Sequence, residues 1–132
     1  MKKLKFKIMK KILLIVLLIP LLFTTCKKEE DNTSSTSSQF SGSWTGTYSG
    51  DDSGVWAATI SSTGDVNGNS TNANGDNQTL SGSVTNSGSF SATVGTGTLG
   101  SNFVGQFSGN SGSGTWSNSS VGFTGTWEGD KK

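Results

Sequence analysis

The sequence predicts an all-β fold, an antiparallel meander of about eight short strands forming a small barrel or flattened barrel, after a helical signal segment and a disordered linker. Three observations carry that expectation. From Phe40 onward, large residues alternate with small or polar ones, as in Trp44-Thr45-Gly46-Thr47-Tyr48, which is the period of strands with one buried face. Clusters of Gly, Asn, Asp and Ser interrupt these runs roughly every 8 to 12 residues, the spacing of turns in sandwiches and barrels. No stretch shows apolar residues at helical spacing over even three turns.

The strands follow from the alternation. They are expected at Trp44 to Ser49, Val55 to Ser61, Val66 to Ser70, Thr79 to Val84, Ser89 to Val94, Asn102 to Ser108, Ser113 to Ser117 and Gly122 to Glu128. Between them fall short turns rich in Gly, Asn and Asp, which tolerate tight backbone geometry, and one longer Asn-rich loop from Thr71 to Gln78. Period two then assigns an inner face: Trp44, Gly46, Tyr48; Trp56, Ala58, Ile60; Val66, Gly68; Leu80, Gly82, Val84; Phe90, Ala92, Val94; Phe103, Gly105, Phe107; Gly114, Trp116; Phe123, Gly125, Trp127. The opposite face is mostly Ser, Thr, Asn and Gln and belongs to water.

Most strands place Gly or Ala between two larger inward residues. A waist of small residues either lets opposite walls approach or leaves room for aromatic rings, with large side chains plugging both ends. The first and last strands are alike in sequence, Trp44-Thr45-Gly46-Thr47-Tyr48 beside Phe123-Thr124-Gly125-Thr126-Trp127. Matched end strands are compatible with pairing to each other, which would remove the free edges.

The chain before this domain carries the signal for its destination. Residues 1–11 hold six lysines (Lys2, Lys3, Lys5, Lys7, Lys10, Lys11) and no acid, and Ile12 to Phe23 follow without a charge. That is the composition of a secretory signal. The run is interrupted by Pro20 and falls short of the roughly 20 apolar residues of a membrane span. It stops at Leu22-Phe23-Thr24-Thr25-Cys26, which resembles the lipobox of bacterial lipoprotein precursors. Thr25 and Phe23 stand where that family usually has a smaller residue and an aliphatic one.

The resemblance implies cleavage before Cys26, lipid on its sulfur, and anchoring in the membrane through that lipid. Cys26 is the single cysteine, so no intramolecular disulfide is available. The domain organisation expected is therefore residues 1–25 signal peptide, 26–39 lipidated tether, and 40–130 barrel. Lys27-Lys28-Glu29-Glu30-Asp31 looks like an export signal that some Gram-negative bacteria use to place lipoproteins on the outer surface; it also reads as a plain solvated tether. The expected location is the outer membrane, lipid-anchored, either surface-exposed or facing the periplasm. The Ser, Thr and Asn that fill positions 32–39 cannot offset the entropy of ordering, and a flexible chain from Lys27 to Gln39 reaches roughly 20 Å on average.

The strands Phe103-Val104-Gly105-Gln106-Phe107 and the hairpin residues Gly114-Thr115-Trp116 resemble the barrel lobes of transferrin-binding-type surface lipoproteins. That resemblance implies a binding role and names no ligand.

Charge and composition exclude several classes of activity. The chain has no His and no Arg, and beyond Cys26 four lysines against nine acids leave a net side-chain charge of −5. Nucleic acid is not an expected partner, because neutralising phosphates requires Lys or Arg, and Phe40 to Gly129 contains neither. Without His, and with the single cysteine at the head of the tether, no triad, zinc site or thiol nucleophile can be assembled in the domain. The acids Asp51, Asp52, Asp65, Asp76 and Glu128 sit in turns or near the C-terminus and read as solvated charges. Asp65 to Asp76 has the length of a calcium loop, but Ser70 stands where the loop needs Gly and Asp76 where it needs Glu. No metal or cofactor is expected.

Two functional readings follow. The first is a non-enzymatic, lipid-anchored envelope module for binding or structure, whose partner could be an extracellular protein, a glycan or a small apolar ligand. The second is a lipocalin-like carrier holding a small apolar ligand among the inward aromatics Trp44, Tyr48, Trp116 and Trp127. A membrane-embedded barrel fits poorly, since the expected strands are shorter than the roughly 9 to 11 residues needed and their outward face is polar.

Overall fold

Residues 37–132 are described by a computed structural model. Cys26, the signal segment and most of the tether lie outside the described residues. Eight strands follow in order: β1 (Gly42–Gly50), β2 (Gly54–Ile60), β3 (Asp65–Asn72), β4 (Asn77–Val84), β5 (Ser89–Val94), β6 (Ser101–Ser108), β7 (Ser111–Asn118) and β8 (Phe123–Lys131). A single turn of 3-10 helix, Gly97–Leu99, lies between β5 and β6. Every strand pairs antiparallel with its neighbours in sequence, and β8 returns to β1 from Trp44↔Lys131 to Gly50↔Gly125. The sheet is a closed barrel, so these strands have no bare edge.

Alternation places the core where the sequence puts it. Trp44, Trp56, Ile60, Val66, Leu80, Val84, Phe90, Val94, Phe103, Phe107, Trp116 and Trp127 are all buried inside. The glycines of the waist have a specific use, which is to make room for indoles. Trp56 stands opposite Gly46 of β1, crosses it, and donates its indole N–H to the Glu128 carbonyl of β8 at 3.2 Å. Trp116 crosses Gly125 of β8 and donates to Ser49 of β1 at 3.1 Å. Trp127 crosses Gly114 of β7 and donates to Val104 of β6 at 2.9 Å. In each case the ring lies across one neighbouring strand and is pinned to the backbone of the next, which satisfies a buried donor. A Cβ at position 114 would lie 2.7 Å from the Trp127 Nε1 and 2.6 Å from the Gly105 Cα. Only hydrogen fits there.

Three of the turns share one construction. At Ser61, Asn72 and Thr85 a side-chain oxygen accepts the N–H of the residue four positions on, at 3.0, 2.9 and 3.1 Å. In each, the residue three positions on is Gly, with φ near +90° (Gly64, Gly75, Gly88), a left-handed conformation that a side chain disfavours. This turn shortens the expected Asn-rich loop: Thr71 and Asn72 belong to β3, Asn77 and Gln78 to β4, and only four residues remain between them. Asn72 is a hairpin clamp whose side-chain oxygen, Oδ1, also takes the N–H of Asn74 at 3.1 Å.

Large side chains plug both ends of the barrel, as expected, but the two ends differ in how deep the plug lies. At the end carrying the β2–β3, β4–β5 and β6–β7 turns, the chain arrives through Ser38 and Gln39. The Ser38 N–H bonds the Ser62 carbonyl at 2.7 Å and the Gln39 side chain bonds the Asn86 carbonyl at 2.8 Å. These two residues, read from composition as tether, are docked on the domain. Phe40 follows as the stopper, buried against Phe107 at 5.9 Å between ring centroids, and its carbonyl accepts the Trp44 indole N–H at 2.8 Å. At the opposite end the plug lies deeper and the mouth is open. Phe123, assigned to the inner face by period, sits on its rim and is 42% exposed, because β8 starts beyond the depth at which the core closes.

Candidate functional site in the open mouth of the barrel

The connections β1–β2, β3–β4, β5–β6 and β7–β8 all gather at the open end, as an up-and-down meander requires. Beneath them lies a cavity of about 170 Å³. Its lining combines aromatic rings (Tyr48, Phe103, Trp116), hydroxyls (Tyr48, Ser70, Ser101), amides (Asn72, Gln78, Asn118) and two carboxylates (Asp52, Asp76). The rings form one interlocked group. Tyr48 meets Phe103 and Trp116 edge-on at 5.7 Å each, and Phe103 stacks on Trp116 at 6.1 Å with 17° between planes.

Tyr48 is placed by the same glycine device as the tryptophans. A Cβ on Gly54 would lie 2.7 Å from the phenol oxygen, so the ring fits only because residue 54 has no side chain. Burial pushes the Tyr48 phenol above its ordinary pKa of 10.0; the neighbouring Ser70 hydroxyl opposes the rise, and the Asp52 carboxylate adds to it. Ser70 is itself only 3% exposed, a polar side chain at the cavity wall where the alternation of β3 turns inward.

Several of the lining groups are already committed to the scaffold. Asn118 donates to the Leu99 carbonyl and the Ser101 hydroxyl while its own oxygen takes the Ser120 N–H. Asn72 is engaged in its hairpin, and one Asp76 oxygen accepts its amide at 3.2 Å. The Asp52 Oδ1 caps the Ser53 N–H at 2.7 Å. The second oxygens of Asp52 and Asp76, the Gln78 amide and the Tyr48–Ser70 hydroxyls stay available to whatever enters.

Of the four aromatics expected to face a ligand, two are brought together at the mouth, Tyr48 and Trp116. Trp44 and Trp127 are not with them. They pack toward the stoppered end, Trp44 on Phe107 at 4.5 Å and Trp127 on Phe90 at 4.9 Å, 1% and 3% exposed. Asp65 and Asp76, the ends of the segment with calcium-loop length, stand at opposite ends of the barrel, because Asp65 opens β3 and Asp76 follows its far end. Sequence reasoning passed over Asp52, Ser70, Asp76, Gln78 and Phe103 as site residues. The signal was turn parity: in a meander, the first and third turns share an end, which places Asp51, Asp52 and Asp76 together.

The chain matches no known family and no curated protein.

Proposed function

We propose that this chain is a lipid-anchored envelope lipoprotein whose barrel is a non-enzymatic binding module, with the open mouth as its binding site. The observation that supports this most is the asymmetry of the barrel. Ser38 and Phe40 bring the chain in at the stoppered end, and the cavity opens at the other. A tether attached through Cys26 would therefore leave the domain from the face opposite the mouth. The signal-like run ending at Cys26 supports the anchor, and the resemblance to transferrin-binding-type barrel lobes supports a binding role.

The carrier reading is supported less well. About 170 Å³ is the scale of a cavity that takes one benzene-sized group, and it lies below the roughly 300 Å³ at which sites for drug-sized ligands begin. The interior is occupied by its own indoles, so a ligand would seat a single ring or headgroup at the mouth. Cell fractionation of Cys26→Ala tests the anchor. The variant is expected in the soluble fraction and the parent chain in membranes; equal membrane partitioning of both would overturn lipid attachment.

A further inference from the structure

Charge is distributed unevenly between the two ends of the barrel. Among the described residues, the lysines are Lys131 and Lys132, and both lie at the stoppered end, where Lys131 pairs with Trp44 and the Lys132 N–H bonds the Ser43 carbonyl at 2.9 Å. The mouth carries Asp51, Asp52 and Asp76 and no base among the described residues. Asp51 has one oxygen satisfied by the Thr124 N–H at 2.9 Å. Asp52 and Asp76 line the cavity, each with one oxygen uncommitted.

The cavity also holds unspent hydrogen-bonding capacity beneath those carboxylates. Tyr48 and Ser70 are 8% and 3% exposed, and both line it. They are neighbours, and a bond between two hydroxyls uses only one of the two O–H groups. At least one O–H is left for the cavity's contents. On the other flank the rim is apolar: Val121 and Phe123 line the opening, 58% and 42% exposed.

Resting on the reading of the mouth as a binding site, we propose that it takes an alkylammonium group, its cation held by Asp52 and Asp76 and its carbon chain laid on the Tyr48–Phe103–Trp116 rings. The chemistry selects this class. Two carboxylates without a base repel anions and favour a cation in a partly desolvated cleft. Aromatic walls add to that preference, because ring faces attract ammonium groups. The volume admits a chain of a few carbons and excludes a long acyl tail or a large macrocycle.

The test uses the full-length chain, isotope-labelled, in a non-ionic detergent without ammonium headgroups. Four tryptophans give four indole N–H signals, and of them only Trp116 lines the cavity. Butylammonium is titrated beside its neutral isostere butanol, its anionic counterpart butyrate, and glucose. A saturable shift of the Trp116 indole signal by butylammonium, with Trp44 unmoved and butyrate inert, is expected. Asp52→Asn with Asp76→Asn should weaken that binding about tenfold, the usual worth of one charge-assisted hydrogen bond.

Butanol binding as tightly as butylammonium, or unchanged affinity in the double variant, would overturn the role of charge while leaving the mouth a site. Glucose moving Trp116 where butylammonium does not would replace the ligand class with a neutral polyol. No shift from any probe would overturn the site itself, and Cys26→Ala fractionation would still report on the anchor separately.

Discussion

Gly114→Ala sets two effects of opposite sign against each other. In a generic strand, replacing Gly with Ala stabilises by about 0.4–1 kcal/mol, because the unfolded chain loses freedom. Here the added methyl would sit 2.7 Å from the Trp127 Nε1 and 2.6 Å from the Gly105 Cα, and still closer to the Val104 carbonyl oxygen. Carbon atoms pack at about 3.5–4.0 Å, so something must move by close to 1 Å. Two of those three contacts are with the backbone of β6, which is held by its ladder with β7, so relief requires both the ladder and the indole to shift.

Displacing the indole breaks the 2.9 Å bond to the Val104 carbonyl, a loss of about 0.5–1.5 kcal/mol, and overpacks the ring cluster at a cost of about 1–3 kcal/mol. Offset by the entropic gain, the net is a destabilisation of about 0.5–4 kcal/mol. Urea unfolding followed by tryptophan fluorescence measures it as a lower midpoint at unchanged slope. A Gly114→Ala chain as stable as the parent, or more so, would refute the claim that waist glycines exist to seat indoles. Pairing the substitution with Trp127→Phe should recover part of the loss, since the clashing nitrogen is gone.

Other outcomes follow from the same geometry. Phe40→Ala, though outside every strand, should cost about 3–5 kcal/mol, the value for a buried Phe, and the fall in thermal midpoint checks it. Asn72→Ala removes an oxygen that accepts two backbone N–H groups; a loss of about 1–2 kcal/mol in the same urea assay is expected. Tyr48 is the single tyrosine, so ultraviolet absorbance reads its ionisation alone, and the midpoint should lie above that of a free phenol. Because its folded pKa is raised, the phenol's contribution to stability is complete below pH 10.0 and is lost as pH climbs through the folded value. Tyr48→Phe should therefore lose less stability than the parent between neutral and strongly alkaline pH, as measured by urea midpoints at each pH.

The fold was legible because its determinants are local and periodic. Alternation alone located all eight strands and, Phe123 and Ser70 apart, the inward set, and the likeness of Trp44–Tyr48 to Phe123–Trp127 anticipated the seam between β1 and β8. Boundaries were less legible. Asn72, Asn77 and Gln78 look like loop by composition, yet a hairpin of the Asn72 type needs only four linking residues, so the ladder runs on to its ends. Ser38 is buried through one backbone bond to Ser62, a tertiary contact that Ser-rich composition cannot announce.

The candidate site was half legible, for a physical reason. Periodicity says whether a side chain points inward and is silent on how far along the axis it sits. Tyr48 and Trp44 share a face of one strand, but one opens onto the mouth and the other is sealed under Phe40. The depth of each ring depends on strand stagger, which is a property of the closed barrel.

Seven of the eight seams join strands that follow one another directly; the eighth welds the beginning of the domain to its very end. A growing or threading chain thus cannot lock itself shut until β8 is delivered. Up to that moment it is an open ribbon with two sticky margins, and any copy cut short within β8 would stay so, an adhesive for its fellows.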